Sequence, residues 1–221
     1  MTKALKNLQR IQDDMAQVQA NDGIEGKNPA LLVASKTQDI GTIRPLIDAG
    51  HMLFGENRVQ EAQEKWTDIK ENYPDLKLHL IGPLQSNKAK DAVALFDVIE
   101  TIDRPKIAQA IKSECDKQNK HPALYIQVNT GDEEQKSGIS PADFDSFYCY
   151  CTNELGLKIT GLMCIPTVDE APGLHFALLS DLAAKYNIPQ LSMGMSHDYE
   201  TAIRFGSTQI RIGTDIFGKR S

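Results

Sequence analysis

Lys36 is the residue whose type and position in this sequence most favour covalent chemistry. It closes an apolar run that extends from Ala30 to Ser35, and a polar turn begins at Thr37. A run of that length before a turn predicts a buried strand, so the lysine amine would lie at the mouth of a packed core. Burial lowers a lysine pKa by disfavouring the charged form, and the neutral amine forms Schiff bases. The alternative is an ordinary lysine whose stem carries the amine out to water.

Two glycine-containing segments near the carboxyl terminus are suited to binding a phosphate group. Gly194-Met195-Ser196 precedes a predicted helix, and Gly213-Thr214 follows the last predicted strand. Glycine lets backbone N–H groups approach an anion, while Ser196 and Thr214 can donate hydroxyl hydrogens. A structural interpretation also exists for each segment, with Ser196 as a helix N-cap and Gly213 as a residue that relieves a turn.

Arg211 lies in an alternating segment, residues 209–212, that would point its side chain into a core or its mouth. An arginine cannot lose its charge, so a buried one must meet an acceptor. One interpretation is a structural partner, for which Asp215 and Glu56 are candidates. The other is a bound group that offers a phosphate or a ring nitrogen.

The elements that would position these residues alternate along the chain. Apolar residues at spacings of three and four from Leu5 to Val18 predict an amphipathic N-terminal helix. Apolar or alternating runs predict eight strands, at 30–35, 52–55, 76–82, 97–101, 123–129, 158–165, 190–194 and 208–213. Helical patterns lie between them, among others at 40–49, 57–71, 104–118, 141–154, 171–186 and 198–205.

Strict alternation of strand and helix implies parallel strands, because each return to the sheet needs a crossover. Eight repeats in 221 residues match the eight-stranded barrel in number and length. An open sheet would more often carry a glycine-rich first turn, and no Gly-x-Gly-x-x-Gly follows any predicted strand. We therefore predict an α/β protein, a single (β/α)8 TIM barrel domain over residues 1–221 with an additional N-terminal helix.

Composition excludes several classes of function. The net charge of -6 and the pI near 5.4 argue against nucleic acid or an anionic membrane as the main partner. No apolar run approaches the roughly 18 residues of a membrane span, and the first twenty residues have no signal-peptide core. We expect a cytoplasmic protein. The four cysteines lack zinc-like spacing, so we expect no metal site and reduced cysteines that serve in packing.

The functional face of such a barrel is the carboxyl end of its strands, and the candidate residues all fall there. A buried amine opposite a phosphate-binding pair of loops suits a ligand with both a carbonyl and a phosphate. Pyridoxal 5'-phosphate fits, with its aldehyde on Lys36, its phosphate on Ser196, Gly213 and Thr214, and its ring nitrogen facing Arg211. A phosphosugar aldolase with a Schiff-base lysine fits the same outline.

Several sequence segments that contain or adjoin these residues match the pattern of a known protein family. They are 32–37, 54–61, 79–88, 136–138, 161–163, 191–196 and 211–218. The chain resembles the pyridoxal phosphate homeostasis proteins (the YggS/PROSC family) in these strings, in order, from about residue 30 to the carboxyl terminus.

The resemblance implies a barrel like the N-terminal domain of alanine racemase, with pyridoxal phosphate on Lys36. It also implies phosphate contacts from Ser196, Gly213 and Thr214, and Arg211 facing the pyridine nitrogen. Two further positions follow from it in the same way. Asn57 matches a family position beside the cofactor, and His197 departs from the acidic residue expected after Met195-Ser196, where it could tune the phosphate contact.

Whether the protein is an enzyme or a carrier depends on the catalytic bases that it provides and on the charge beside the cofactor ring. Racemisation needs one base on each face of the substrate α-carbon. The resemblance implies that alanine racemase takes its second base, a tyrosine, from a partner's β-rich domain. This sequence ends seven residues after Thr214, at Ser221, so we expect no such domain. A permanent cation at Arg211 would also weaken the ring as an electron sink.

We therefore predict a non-catalytic pyridoxal phosphate carrier or regulator in the homeostasis of vitamin B6 and of amino and keto acids. A racemase or weak lyase on amino acids, or an aldolase, is the alternative. Apoenzymes that require pyridoxal phosphate are candidate recipients. We expect a monomer, because the racemase-style interface would be missing.

Lys136 supports a separate and weaker hypothesis. It lies in the loop after the fifth predicted strand, where it could accept the aldehyde transiently during transfer. The alternative is a solvated lysine paired with its acidic neighbours Asp132, Glu133 and Glu134.

Overall fold

The computed structural model of the protein describes residues 1–24, 28–133 and 135–218. Eight parallel strands close into a barrel in chain order, with β8 pairing to β1. The strands are β1 (Ala30–Ala34), β2 (Leu53–Glu56), β3 (Lys77–Leu80), β4 (Val98–Ile102), β5 (Ala123–Val128), β6 (Ile159–Cys164), β7 (Gln190–Ser192) and β8 (Gln209–Ile212). The predicted (β/α)8 barrel is therefore confirmed.

Helices surround the barrel and follow the predicted pattern. They are α1 (Lys3–Asp22), α2 (Ile40–Asp48), α3 (Val59–Asn72), α4 (Ala89–Leu95), α5 (Pro105–Gln118), α6 (Phe144–Cys149), α7 (Pro172–Tyr186), α8 (Tyr199–Arg204) and α9 (Thr214–Phe217). A 3-10 turn at Ser86–Lys88 leads into α4, and α6 continues as a π-helical turn over Tyr150–Glu154. The predicted helix at 141–154 starts later than expected, because the residues before Phe144 form a turn closed by Ser140 and Asp143.

The additional N-terminal helix, α1, is confirmed and is tied to the last helix of the chain. Thr2 caps its start by accepting the Leu5 N–H, and Gly23 ends it at a φ of 62°. Ile11 is fully buried on its inner face, and burial of such a side chain contributes about 1.5–3 kcal/mol. Asn7 Nδ2 also donates to the Ile216 carbonyl at 2.9 Å. The first helix therefore braces the segment that follows β8.

None of the helices in the described ranges has the length and apolarity needed to cross a membrane. The same ranges contain no cluster of histidine, cysteine and carboxylate side chains that could hold a metal ion. All four cysteines are free thiols. Cys115, Cys151 and Cys164 are buried packing residues, as predicted, whereas the prediction is wrong for Cys149, which is exposed.

Candidate functional site

The seven predicted site residues lie on four strands, or directly after them, that are neighbours in the barrel. Met195 and Ser196 follow β7, Arg211 belongs to β8, Gly213 and Thr214 follow β8, Lys36 follows β1, and Asn57 follows β2. Pairing of Val33 with Ile212 and of Ala34 with Gly55 brings the ends of β8, β1 and β2 to one level. Closure of the barrel thus collects residues from both ends of the sequence on one side of its mouth.

Lys36 is half-buried in the turn that directly follows β1. Its neighbour Thr37 has a φ of 64°, a left-handed conformation that is uncommon for a residue other than glycine. A cavity of about 30 Å³ lies between this turn and the segment after β8, and Lys36, Gly213 and Thr214 all line it. The predicted lysine and the second predicted phosphate segment therefore share one cavity.

A buried carboxylate, Glu56, fixes the residue before Lys36. Its Oε1 atom accepts hydrogen bonds from Ser35 Oγ at 2.7 Å, Lys65 Nζ at 2.9 Å and Trp66 Nε1 at 2.9 Å. Glu56 is fully buried, and a buried carboxylate needs a positive partner. The Lys65 ammonium supplies that positive charge. Strand β2 and helix α3 thus hold the end of β1 in place.

The residue after Lys36 is fixed by the same helix. The Thr37 N–H donates to Glu61 Oε1 at 2.6 Å, and Lys65 Nζ lies 3.2 Å from that oxygen. Lys65 also donates to the Ser35 carbonyl at 3.0 Å. The turn that carries Lys36 is therefore held on both sides by a charged pair of residues from α3. Sequence reasoning missed Lys65 and Glu61, because only the packing of α3 on the barrel brings them to this turn.

Arg211 is buried inside the barrel, where its partners are backbone carbonyl oxygens and a hydroxyl. Its guanidinium donates to the Ser192 carbonyl at 2.6 Å, to Ser192 Oγ at 2.8 Å and to the Cys164 carbonyl at 2.7 Å. Neither Glu56 nor Asp215 is its partner among the described residues, so those two structural interpretations are wrong. Protein oxygens engage three of the five N–H hydrogens that a guanidinium carries, which leaves donor capacity for a further acceptor.

Glu100 is the centre of a buried polar network behind Arg211. His79 Nδ1 and Gln209 Nε2 each lie 2.6 Å from its Oε1 atom, and Ser192 Oγ donates to its Oε2 atom at 2.6 Å. Burial by itself raises the pKa of the Glu100 carboxyl. The hydrogen bond and the electrostatic interaction with His79, together with the charge of Arg211, more than offset this, so the pKa lies below its usual value. Glu100 and His79 belong to predicted strands, at 97–101 and 76–82, but the sequence carried no signal of this network.

The segment after β7 turns sharply at Gly194. This residue has a φ of 97°, and a Cβ atom there would lie 2.6 Å from the Ala202 side chain. The Met195 N–H donates to Asp198 Oδ1 at 2.6 Å, and Asp198 occupies the N-cap position of α8. The N-cap interpretation of Ser196 is therefore wrong. Ser196 is half-buried in this turn, one residue after the Met195 N–H that Asp198 accepts.

The segment after β8 contains a glycine for a different reason. A Cβ atom at Gly213 would lie 2.9 Å from the carbonyl oxygen of Ala34, so only glycine allows this close approach to β1. Helix α9 starts at the next residue, Thr214, which is exposed. The close approach brings Thr214 to the Lys36 turn.

Asn57 and Met195 line separate cavities. Asn57 borders a cavity of about 600 Å³ between the segments that follow β2 and β3. Met195 borders one of about 290 Å³ beside the segment after β6, which His197 also lines. The structure therefore groups Lys36, Gly213 and Thr214 and leaves Asn57 and Met195 on either side of them.

Comparison with known proteins identifies the family. A family model described as the alanine racemase N-terminal domain matches residues 7–221. A pyridoxal phosphate homeostasis protein of Aquifex aeolicus (strain VF5) is 40% identical over 205 residues, which cover 88% of this chain and 89% of the relative. One from Escherichia coli (strain K12) is 36% identical over 229 residues, covering 100% and 98%. The chain belongs to the pyridoxal phosphate homeostasis protein family.

Solved structures agree with this family assignment. PipY of Synechococcus elongatus PCC7942, solved with pyridoxal phosphate bound, has a TM-score of 0.78 and 32% identity to this homeostasis protein family member. The similarity covers 92% of this chain and 100% of PipY. An alanine racemase of Clostridium difficile 630 has a TM-score of 0.70 at 13% identity, with 94% of this chain and 57% of the racemase covered. The likeness to the racemase shows a common fold.

Two further residues of this family member, Lys136 and His197, lie in the segments that follow β5 and β7. Lys136 Nζ lies 2.5 Å from Glu133 Oε1 and 3.3 Å from the Pro166 carbonyl, so its pairing with an acidic neighbour is confirmed. Glu134 lies outside the described residues. His197 is exposed and lines the same cavity as Met195.

Proposed function

We propose that this homeostasis protein binds pyridoxal 5'-phosphate covalently at the Lys36 amine, and that it stores the cofactor and passes it on without robust turnover. One observation carries the proposal. Lys36, Gly213 and Thr214 line a single cavity across the closure of β8 on β1, in a chain whose relative PipY has been solved with this cofactor. An amine and a glycine-containing phosphate segment are the two groups that the aldehyde and the phosphate require.

The residues present fit this group. The close approach of Gly213 to Ala34 leaves no side chain between the backbone and the cavity. Thr214 and Ser196 would donate their hydroxyls to the phosphate, with Met195 in the same segment as Ser196. Ser196 belongs to the segment after β7, so the phosphate would lie between the last two strand ends, a usual anion position in such barrels.

Arg211 and Asn57 would fix the ring. The Arg211 guanidinium is held by three oxygens and retains N–H hydrogens that can donate to a ring nitrogen. Asn57 lies at the end of β2, the strand that pairs with β1 next to Lys36. These two residues would therefore orient the ring from the barrel interior and from the side.

The charge of Arg211 supports a carrier more than an enzyme. The bound cofactor supplies an aldehyde to amines and, when its ring nitrogen is protonated, an electron sink. A guanidinium keeps its proton at any physiological pH and repels a second positive charge at the ring nitrogen. Arg211 would therefore hold that nitrogen unprotonated and limit the withdrawal of electrons from a bound amino acid.

The alternative function is a racemase or a weak lyase on amino acids. The purified protein, saturated with pyridoxal phosphate, is incubated with a panel of L-amino acids, and D-amino acids and oxo acids are measured. The carrier proposal predicts rates close to those of free pyridoxal phosphate under the same conditions. Steady turnover far above that background would establish an enzyme instead.

The covalent attachment is tested by visible absorbance. Wild-type protein mixed with pyridoxal phosphate should develop the visible band of a lysine attachment, and Lys36→Ala should not. Lys88→Ala and Lys136→Ala are matched controls, since both lysines lie at the same face of the barrel. Persistence of the band in Lys36→Ala, with loss in either control, would place the aldehyde on another lysine.

We further propose that residues 1–221 form one domain that acts as a cytoplasmic monomer and delivers pyridoxal phosphate to apoenzymes that require it. The closure of all eight strands in chain order supports the single domain, and the free cysteines are typical of a reducing compartment. Light scattering after size exclusion should give a mass close to 24.5 kDa. A mass of twice that value would contradict the monomer.

A further inference from the structure

A second cavity at the mouth of the barrel is lined by two cations that have no ion-pair partner among the described residues. Its volume is about 600 Å³, within the usual range for sites that bind small molecules. It is lined by residues after β2 and β3, among them Asn57, Arg58, Gln60, Pro83, Gln85 and Lys88. None of the described residues that line it is acidic.

The two cations in this cavity differ from most others in the chain. Arg58 and Lys88 form neither an ion pair nor a side-chain hydrogen bond with any residue in the described ranges. By contrast, Lys65, Lys70 and Arg104 each have a carboxylate partner. Arg58 is exposed and Lys88 is half-buried, and in a chain with a net charge of -6 two such cations that line one cavity make it suited to an anionic ligand.

Further hydrogen-bond donors surround the two cations in this cavity. Helix α3 spans 14 residues, and the side chain of its N-cap residue, Arg58, makes no capping hydrogen bond. Its first N–H groups therefore present the positive end of the helix beside Arg58. The amide side chains of Asn57, Gln60 and Gln85 line the same space and can donate further hydrogen bonds.

The two walls of the cavity are fixed against each other. A Cβ atom at Gly82 would lie 2.3 Å from the carbonyl oxygen of Asn57, so the segment after β3 is in close contact with the segment after β2. The Lys88 N–H donates to the Gln85 carbonyl at 2.9 Å, which sets the start of the 3-10 turn. The cavity is thus a formed feature of the barrel mouth.

We propose that this cavity is a binding site for a small organic anion, whose carboxylate or phosphate oxygens are bound by Arg58 and Lys88. The arginine fork can hold two oxygens of such a group, and the lysine adds a point charge. The site is distinct from the phosphate segments after β7 and β8, because it lies across β2 and β3. It shares Asn57 with the proposed cofactor site, so an anion bound here would lie beside the group on Lys36.

The site is tested on full-length protein without added pyridoxal phosphate. Inorganic phosphate and, separately, pyruvate are titrated while amide resonances are followed by NMR. Saturable shifts at Asn57, Gln60 and Gln85 are expected with at least one probe, and the better probe identifies the oxyanion. Shifts confined to Ser196, Gly213 and Thr214, or no saturable shift with either probe, would overturn the proposal.

Variants provide the second test. Arg58→Ala and Lys88→Ala should each weaken binding about tenfold, which corresponds to about 1.4 kcal/mol. Lys158→Ala is the matched control, because it removes the same charge just before β6, at the opposite end of the barrel. Equal weakening in the control would show a net-charge effect and overturn the site. The statement that the anion lies beside pyridoxal phosphate rests on the proposed function, whereas this titration does not. The absorbance of Lys36→Ala therefore tests the proposed function separately.

Discussion

The Glu100 carboxylate and the Arg211 guanidinium are joined inside the barrel by a single hydroxyl, that of Ser192. Ser192 Oγ donates to Glu100 Oε2 at 2.6 Å and accepts from Arg211 at 2.8 Å. A carboxylate only accepts, so the hydroxyl hydrogen must point at Glu100 and its lone pairs at Arg211. The buried guanidinium therefore has a buried counter-charge, the Glu100 carboxylate, on the other side of the Ser192 hydroxyl. This hydroxyl helps to fix the orientation of the guanidinium.

Removal of this hydroxyl should loosen Arg211. In Ser192→Ala, Glu100 loses one donor and the guanidinium loses one acceptor, and leaving buried polar groups unsatisfied costs about 1–3 kcal/mol. We expect a lower free energy of unfolding in urea and weaker binding of pyridoxal phosphate. Ser146→Ala is the control, because that exposed hydroxyl donates to a local carbonyl, that of Asp143. Equal effects from the two variants would contradict the bridging role of Ser192.

The lowered pKa of Glu100 should appear in the acid stability of the protein. The usual value for a glutamate is 4.5, and the folded state holds this carboxyl below it. The unfolded chain thus binds the proton more readily, so the contribution of Glu100 is present above pH 4.5 and is lost as the pH falls through the folded-state pKa. Glu100→Gln should flatten this part of the stability profile, measured as denaturation midpoints between neutral and acid pH. An unchanged acid profile would show that Glu100 does not contribute.

Removal of one charge from the ion pair of Lys65 and Glu56 should destabilise the protein much more than removal of both charges. Lys65→Met leaves the fully buried Glu56 carboxylate without its cation, and breaking a buried pair in this way costs about 3–5 kcal/mol. The double variant Lys65→Met with Glu56→Gln should recover much of that loss. Chemical denaturation measures the free energy of unfolding of the single and the double variant. As a control, Lys112→Met breaks the exposed pair with Asp116 and should have little effect.

The same pair should also influence attachment at Lys36. Lys65→Met releases the Ser35 carbonyl and one side of the turn, so covalent binding of pyridoxal phosphate should become slower and weaker. The double variant should not fully restore binding even where it restores stability, because the contact to the turn stays absent. Full recovery of both properties would limit Lys65 to a role in stability.

Gly194 should tolerate no side chain. A methyl group there would lie 2.6 Å from the Ala202 side chain in a backbone conformation that L-residues rarely adopt. Gly206 also has a positive φ, of 85°, but a Cβ atom there would meet nothing within 4 Å. Gly194→Ala should therefore lose about 1–3 kcal/mol more than Gly206→Ala, and it should weaken phosphate binding through the displaced Ser196. Equal losses, measured by denaturation, would mean that the segment after β7 can adjust.

The fold could be predicted because its signals are local. The alternation of strand and helix patterns and their number determine the barrel, and barrel geometry then places Lys36, Asn57 and Thr214 at strand ends. The partners of these residues could not be predicted in the same way. Lys65 reaches Ser35 only because α3 packs over the ends of β1 and β2, and no pattern near either residue encodes that contact.

The interior polar network was equally hidden from the sequence. The structural partners that the sequence suggested for Arg211 were Asp215 and Glu56, yet its charge is balanced by Glu100, more than one hundred residues away in the chain. That pairing depends on the closure of the barrel and on the register of β7 with β8. Long-range register of this kind follows from the whole packing of a sheet and leaves no local trace.

Borohydride reduction followed by peptide mass spectrometry shows directly which lysine carries pyridoxal phosphate. Wild-type protein loaded with pyridoxal phosphate is reduced, digested and mapped, so that any lysine bound to the cofactor is permanently marked. The mark is expected on the peptide containing Lys36 and should be absent in Lys36→Ala. Marking of Lys88 or Lys136 in its place, or an unmarked protein, would contradict attachment at Lys36.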